Sequence, residues 1–210
     1  MNEKLKLIYS APEKETSVFL HSDIGDILFE YRRYIKNVFL QIKGHYEIAY
    51  FGINIISPSN ELVSFSSMPH IEYNLIQQGF WKYDPHFSSR FLNKNTLFWW
   101  DDIKTPFAED IRQIKLINNH FSAGMTLSRE INQFNLLYSY ATNSKKKNLK
   151  EYYDSQIFGL IDIGDYFFKA ILKLYSECYG KTPLPQLNQL NSKAVDLGIR
   201  STLQLIVNNS

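Results

Sequence analysis

The fold is decided by residues 124–141, which read GMTLSREI, then NQ, then FNLLYSYA. Two runs rich in apolar, aromatic and β-branched residues flank the polar pair Asn132–Gln133, a pattern typical of antiparallel strands joined by a tight turn. Side chains alternate between the two faces of a strand. In the second strand, one face carries Phe134, Leu136, Tyr138 and Tyr140, and the other carries Asn135, Leu137, Ser139 and Ala141. The stretch therefore predicts a β-hairpin with two distinct faces.

Further strand and helix patterns lie around this hairpin. Strand patterns occupy residues 46–56, 62–66, 97–100, 124–131 and 134–141. Amphipathic helix patterns, with apolar residues at steps of three and four, occupy residues 23–43, 69–78, 106–118, 149–178 and 187–207. Asp23 is placed to cap the first helix and Gly44 to end it. This order predicts an α+β fold with a central antiparallel sheet of about five strands and helices on both faces.

The pattern divides the chain into three parts. We expect residues 1–22 to form an N-terminal arm and residues 23–180 to form one domain. Residues 181–210 read as a linker followed by a C-terminal amphipathic helix.

Composition excludes several classes of protein. Of 210 residues, 23 are basic and 21 acidic, a net charge of +2 that argues against a dedicated nucleic-acid binder. The single Cys178 excludes a disulfide framework and a cysteine-based metal site. With no signal peptide pattern and no long apolar run, we expect a cytoplasmic protein without a membrane span. The aromatic content of 15% is high enough to line an apolar pocket.

Catalytic patterns are weak. The sequence has no nucleophile elbow, phosphate loop or dinucleotide fingerprint, and its five histidines lack metal-ligand spacing. We therefore expect no enzyme activity, no metal and no cofactor. Asp84 lies among aromatic residues between Trp81 and Trp100, where a carboxylate can accept a hydrogen bond from a ligand amide. The alternative is that Asp84 caps the turn after Pro85 and the tryptophans fill the core.

Two blocks of sequence resemble one known family. The first is Tyr83-Asp84-Pro85 followed by LFWWD at 97–101, and the second runs from His120 through Ser139. Their order, and the fifteen-residue step from Asp84 to Trp99, are similar to the autoinducer-binding domain of LuxR-type quorum-sensing transcriptional regulators. The resemblance covers roughly residues 22–178.

The resemblance implies an α-β-α sandwich that encloses an N-acyl homoserine lactone, and hence a signal receptor. Asp84 would accept the ligand's amide N–H, and Trp99 would line the ring end of the pocket. Tyr138 would reach an acyl carbonyl, and Gly124 and Pro85 would be structural. Further lining residues would be Tyr50, Asn54, Phe134 and Leu136.

The sequence departs from the family where a lactone would be held. The family carries a Trp thirteen residues before the Asp and a Tyr nine before it, and here Ile71 and Leu75 stand there. A one-residue shift in alignment places Glu72 and Ile76 there instead. Tyr73 or Trp81 could substitute from a nearby turn. Without the lactone donor, the ligand is expected to be another acylated amide or apolar small molecule.

The C-terminus is the second departure. Only 30 residues follow Gly180, too few for the family's helix-turn-helix domain, so DNA binding is expected only if the chain is part of a longer regulator. Otherwise we expect regulation through a homodimer, or a mixed dimer with a full-length relative. Two alternatives stay open: a structural interaction domain with a filled core, and an enzyme acting on acyl amides with Asp84 as base.

Overall fold

The computed structural model of the protein describes residues 18–88, 91–92 and 97–179. Its strands are β1 (Phe19–Leu20), β2 (Tyr50–Ile56), β3 (Glu61–Ser66), β4 (Leu97–Trp99), β5 (Ala123–Ile131) and β6 (Phe134–Thr142). Its helices are α1 (Ile24–Glu30), α2 (Arg32–Ile42), α3 (His70–Gln77), α4 (Ala108–Lys115), α5 (Leu149–Ser155) and α6 (Ile157–Tyr179). Most of the expected N-terminal arm, and the expected linker and helix at 181–210, lie outside the described residues.

The strands form one sheet in the order β1-β3-β2-β6-β5-β4. The predicted fold class is confirmed, because every neighbouring pair from β3 to β4 is antiparallel. Within the described ranges the sheet has six strands rather than about five. The additional one is β1, a two-residue strand that pairs parallel to β3 through Phe19 and Leu20. Such a short strand leaves no alternating pattern for sequence inspection to detect.

The predicted hairpin is confirmed as β5 and β6. Ile131 pairs with Phe134 across a two-residue turn at Asn132 and Gln133. Both turn residues have positive φ, 49° and 69°, as the type I′ turn that suits the twist of paired strands requires. The turn thereby fixes the register, and with it which face each β6 side chain occupies.

Several predicted boundaries shift. The single helix expected at 23–43 is two helices that meet at Tyr31, and the long helix expected from Leu149 is divided at Gln156. The strand expected from Tyr46 starts at Tyr50, because Tyr46 and Glu47 have positive φ and form a 3-10 turn. A residue in that conformation cannot continue an extended strand.

The two faces of the sheet carry separate cores. On the first, which we call the α6 face, Phe51, Ile53, Leu136, Tyr138 and Tyr140 pack with α2 and α6. On the second, the α3–α4 face, Tyr50, Ile56, Leu137 and Ala141 pack with α3, α4 and the turns between them. The architecture is therefore an α-β-α sandwich. No helix within the described ranges has the length and apolar character needed to cross a bilayer.

Candidate ligand-binding site

A cavity of about 40 Å³ lies between the α3–α4 face of the sheet and the helices that cover it. By the same measure a single buried water needs about 10–15 Å³, so the space holds about three water molecules, and a larger ligand needs the covering helices to move away from the sheet. The polar side chains that line it are Tyr50, Asn54, Ser64, Glu72, Asp84, His86, Lys115 and Ser139. The apolar ones are Leu20, Ile24, Leu62, Leu75, Ile76, Trp81, Phe87 and Trp100. Apolar walls with a few converging polar groups are the usual composition of a small-molecule site.

The sheet places its polar residues through register. Asn54 of β2 pairs with Ser64 of β3, and Gly52 pairs with Ser139 of β6. Positions two apart on a strand share a face, so Tyr50 and Asn54 both point to the cavity. On α3, Glu72 and Ile76 stand one helical turn apart and reach it from the opposite side.

Asp84 is the centre of a buried charged cluster. It is 2% exposed, and its Oδ2 accepts a hydrogen bond from Lys115 Nζ at 2.5 Å. Its Oδ1 accepts the backbone N–H of His86 at 3.2 Å and contacts the His86 ring Nδ1. Asp84 therefore caps the 3-10 turn at Pro85–Phe87, as the alternative interpretation predicted, and it also lines the cavity.

Burial and charge determine the ionisation of the cluster. Burial alone would raise the pKa of the Asp84 carboxyl, but His86 and Lys115 outweigh it and hold that pKa well below its ordinary value. Burial lowers the pKa of the His86 imidazole, only partly opposed by Asp84. A neutral imidazole has one ring N–H, and the ionised carboxylate beside Nδ1 assigns it to that nitrogen. His86 Nε2 is then a hydrogen-bond acceptor.

Lys115 belongs to this cluster although lysine rarely lies inside a protein. Its Nζ lies 4.7 Å from the centroid of the Trp100 ring and 3.3 Å from His86 Nδ1. The ion pair with Asp84 compensates for the loss of water around both charges. A cation over an indole face adds further attraction.

A second polar pair lies at the other side of the cavity. The Tyr50 hydroxyl donates a hydrogen bond to Glu72 Oε1. Burial raises the pKa of both side chains, and the nearby Glu72 charge raises that of Tyr50 further. A Cβ at Gly52 would overlap the Tyr50 hydroxyl and lie 3.0 Å from Glu72 Oε1. The glycine thus leaves the space in which the pair forms.

Four of the nine predicted ligand-binding residues line the cavity: Tyr50, Asn54, Trp81 and Asp84. Tyr73 does not, since its ring packs edge-on against Phe29. Pro85 and Gly124, the two residues expected to be structural, lie close to this site. Pro85 is the first residue of the turn that Asp84 caps, and a Cβ at Gly124 would overlap the Trp100 ring.

The other four predicted residues, Trp99, Phe134, Leu136 and Tyr138, lie on the α6 face and contribute to its core. The expectation that they line this pocket is corrected, because it assumed the opposite strand face. The Tyr138 hydroxyl donates to Asp165 Oδ1 at 2.8 Å, away from the cavity. Trp100 lines it in place of Trp99, and its Nε1 donates to Thr126 Oγ1 at 2.9 Å.

The sequence analysis did not predict that Lys115, His86 and Ser64 line the site, and it named Glu72 only in the shifted alignment. Lys115 did leave a signal, because it stands four residues after Ile111 on the buried stripe of α4. A lysine on an apolar stripe indicates a buried partner. In the described part of the chain, no group of three histidine, cysteine or acidic side chains is arranged to hold a metal ion.

No family model matches the chain, and no curated protein matches it in sequence. Solved structures do. SdiA in complex with octanoyl-rac-glycerol is 15% identical, with a TM-score of 0.53 over 90% of this chain and 82% of that one. A structure of Escherichia coli SdiA in space group P6522 is 14% identical, with a TM-score of 0.46 over 87% and 84%. The first likeness shows that the chain has the fold of the ligand-binding domain of SdiA, a LuxR-type quorum-sensing regulator. The resemblance seen in the sequence is confirmed at the level of the fold.

Proposed function

We propose that this chain is a receptor domain that binds an acylated small molecule in the cavity on the α3–α4 face. The observation that carries the proposal is the buried Asp84 cluster beside apolar walls, in a fold shared with a structure that holds an octanoyl compound. Leu75, Ile76 and Trp81 would contact the acyl chain. The polar side chains across the cavity would contact the head group.

Asp84 retains a role as polar anchor in this proposal. An ionised carboxylate offers about four lone-pair positions, and the contacts from Lys115 and His86 use three of them. Counting only the residues that the structure describes, one position on Oδ2 is left for a ligand N–H or O–H. Lys115 and His86 would hold the carboxylate ionised and fixed before the ligand arrives, which lowers the cost of binding.

The regulatory part of the proposal rests on the likeness to a LuxR-type regulator. We propose that the receptor acts in the cytoplasm as a homodimer, or as a mixed dimer with a full-length relative. DNA would be a partner only if the chain belongs to a longer regulator. Ligand occupancy would then control transcription through protein contacts.

Two alternatives are weaker. Asp84 and His86 resemble the orienting acid and base of a hydrolase, but none of the described serine, threonine or cysteine side chains makes a hydrogen bond to His86 Nε2. A purely structural domain would have a filled core, whereas this cavity contains polar atoms without protein partners in the described residues.

The test is ligand-induced stabilisation with a blocked cavity as reference. Ile76 lines the cavity and its neighbour Gln77 is exposed, so Ile76→Trp and Gln77→Trp are matched variants. We expect octanoylglycerol to raise the Tm of the original protein and of Gln77→Trp. At a ligand concentration of a hundred times Kd, the gain in unfolding free energy should be about 2.7 kcal/mol. Ile76→Trp should gain little. An equal shift in both variants would place binding elsewhere, and release of octanoic acid would favour the hydrolase.

A further inference from the structure

We propose that the cavity selects a head group bearing several hydroxyls, and that Glu72 is the residue that selects it. This rests on the proposed receptor function and specifies its ligand class. The inference follows from the hydrogen-bonding capacity that the described residues leave unused around the cavity.

Three polar atoms that belong to cavity-lining residues are buried and have no hydrogen-bond partner among the described residues. They are Glu72 Oε2, Ser64 Oγ and His86 Nε2. Ser64 and His86 are each 2% exposed. A buried polar atom left unpaired is unfavourable, and because each of these residues lines the cavity, a molecule bound there can supply the partner.

Two of these atoms set the chemistry of that partner. His86 Nε2 accepts, because the ring proton is on the Nδ1 beside Asp84, so it needs a donor. Glu72 Oε1 already accepts from Tyr50, and Oε2 makes no hydrogen bond within the described residues, although the Ser66 hydroxyl lies near this carboxyl. Oε2 accepts when Glu72 is ionised and donates when it carries the proton. A hydroxyl both donates and accepts, and it satisfies Glu72 and Ser64 in either state.

The surroundings favour neutral hydroxyls over amines. Lys115 is paired with Asp84 in the same cavity, so neither charge is left to pair with a ligand ammonium. A homoserine lactone fits less well, because it brings one N–H while its remaining polar atoms are acceptors. An acceptor set against His86 Nε2 leaves both atoms unpaired, which is the basis of selection against such a ligand.

The site is built by the sheet and α3 together. Gly52 on β2 leaves room for the Tyr50–Glu72 pair, and Tyr50 fixes the Glu72 carboxyl through Oε1. Ser64 lies on β3, next to Asn54 in the pairing register. A carboxyl held from one side presents its second oxygen in a fixed direction, which is what specific recognition requires.

The experiment compares three probes that share the octanoyl group: 1-octanoylglycerol, N-octanoyl homoserine lactone and ethyl octanoate. Titration calorimetry on the full chain should show that the glycerol ester binds about tenfold or more tighter than either of the others. Glu72→Leu, which removes both the donor and the acceptor, should lower affinity for the glycerol ester by about tenfold without lowering affinity for ethyl octanoate. Glu109→Leu, which alters an exposed side chain, is the control. Ser64→Ala repeats the test if Glu72→Leu does not fold.

The outcomes separate the two proposals. Equal or tighter binding of the lactone would overturn the head-group selection and leave the receptor function standing. So would folded Glu72→Leu and Ser64→Ala proteins that bind the glycerol ester like the original. No binding of any probe to the folded protein would overturn both.

Discussion

At the scale of single residues, the Asp84–Lys115 pair makes the cavity polar without leaving a bare charge inside it. Both side chains are nearly fully buried. Removing one partner of such a pair leaves the other charged and dehydrated, whereas replacing both leaves no buried charge uncompensated. The stability of the cluster therefore depends on the pair as a unit.

A double-mutant cycle tests this dependence. We expect Lys115→Met and Asp84→Asn each to lower the free energy of unfolding by about 3–5 kcal/mol, because each leaves an uncompensated buried group. The double variant should lose clearly less than the sum of the two. Urea denaturation measures all four proteins, and simple additivity would show that the two side chains do not act together.

The pKa of His86 gives a second prediction at this scale. Burial lowers that pKa below the ordinary value of 6.5, so below that pH the unfolded chain takes up a proton that the folded protein resists. Through His86, stability is present above the unfolded pKa and is lost as the pH falls.

We therefore expect a smaller loss of unfolding free energy in His86→Gln than in the original protein when the pH is lowered from about 7 to about 5. Glu72 acts in the opposite direction, because its raised pKa favours the folded state at low pH, and both proteins retain it. Denaturation at a series of pH values isolates the His86 contribution. Parallel curves would contradict the assignment of a buried neutral imidazole.

At the scale of elements, the sequence predicts whatever is encoded by local pattern. The alternation and turn residues of 124–141 are sufficient for the hairpin, its boundaries and its two faces. The divisions at Tyr31 and Gln156 were not predictable, because the apolar periodicity continues through both positions. In the same way β1 depends on its partner β3 rather than on its own two residues.

Prediction of the site fails where one step along a strand changes the face. Trp99 and Trp100 are adjacent, and only Trp100 lines the cavity. Asp84 could be found from its local surroundings. Its partner Lys115 stands 31 residues away on another helix, and no local pattern links the two. The polar residues of this cavity are far apart in the sequence and come together only through tertiary packing.

The contact between α6 and β6 offers a test of packing between elements. A Cβ at Gly164 of α6 would overlap the Tyr138 ring, whereas one at Gly25 of α1 would meet nothing within 4 Å. Gly164→Ala should therefore destabilise the protein by about 1–3 kcal/mol. Gly25→Ala should stabilise it by about 0.5–1 kcal/mol through helix propensity. Thermal unfolding of both variants measures these stability changes. If both substitutions stabilise the protein, the close approach of α6 to the sheet is contradicted.

At the scale of the whole molecule, the described cavity lies on one face of the sheet and the core cluster that includes α2 and α6 lies on the other. On the α6 face, Phe134, Leu136 and Tyr138 are packed among Phe51, Phe167 and Tyr175. On the α3–α4 face the cavity runs between helices and sheet. Ligand binding should therefore restrict motion more in the helices on the α3–α4 face than in those on the α6 face.

Hydrogen exchange measures this asymmetry. With 1-octanoylglycerol bound, we expect slower amide exchange in α3 and α4 and little change in the centre of α6, because only the first two contribute residues to the cavity. The Ile76→Trp variant is the control, since its cavity is blocked. Protection confined to α6 would place the ligand on the wrong face of the sheet.

The central claim is that the cavity holds one acylated small molecule per chain, and native mass spectrometry of the purified protein after incubation with 1-octanoylglycerol tests it most directly. An organic extract of the same sample identifies any molecule already bound on purification. We expect a one-to-one complex that is absent in Ile76→Trp, or an endogenous acylated ligand in the extract. A folded chain that carries no ligand on purification and takes up none on incubation would contradict it.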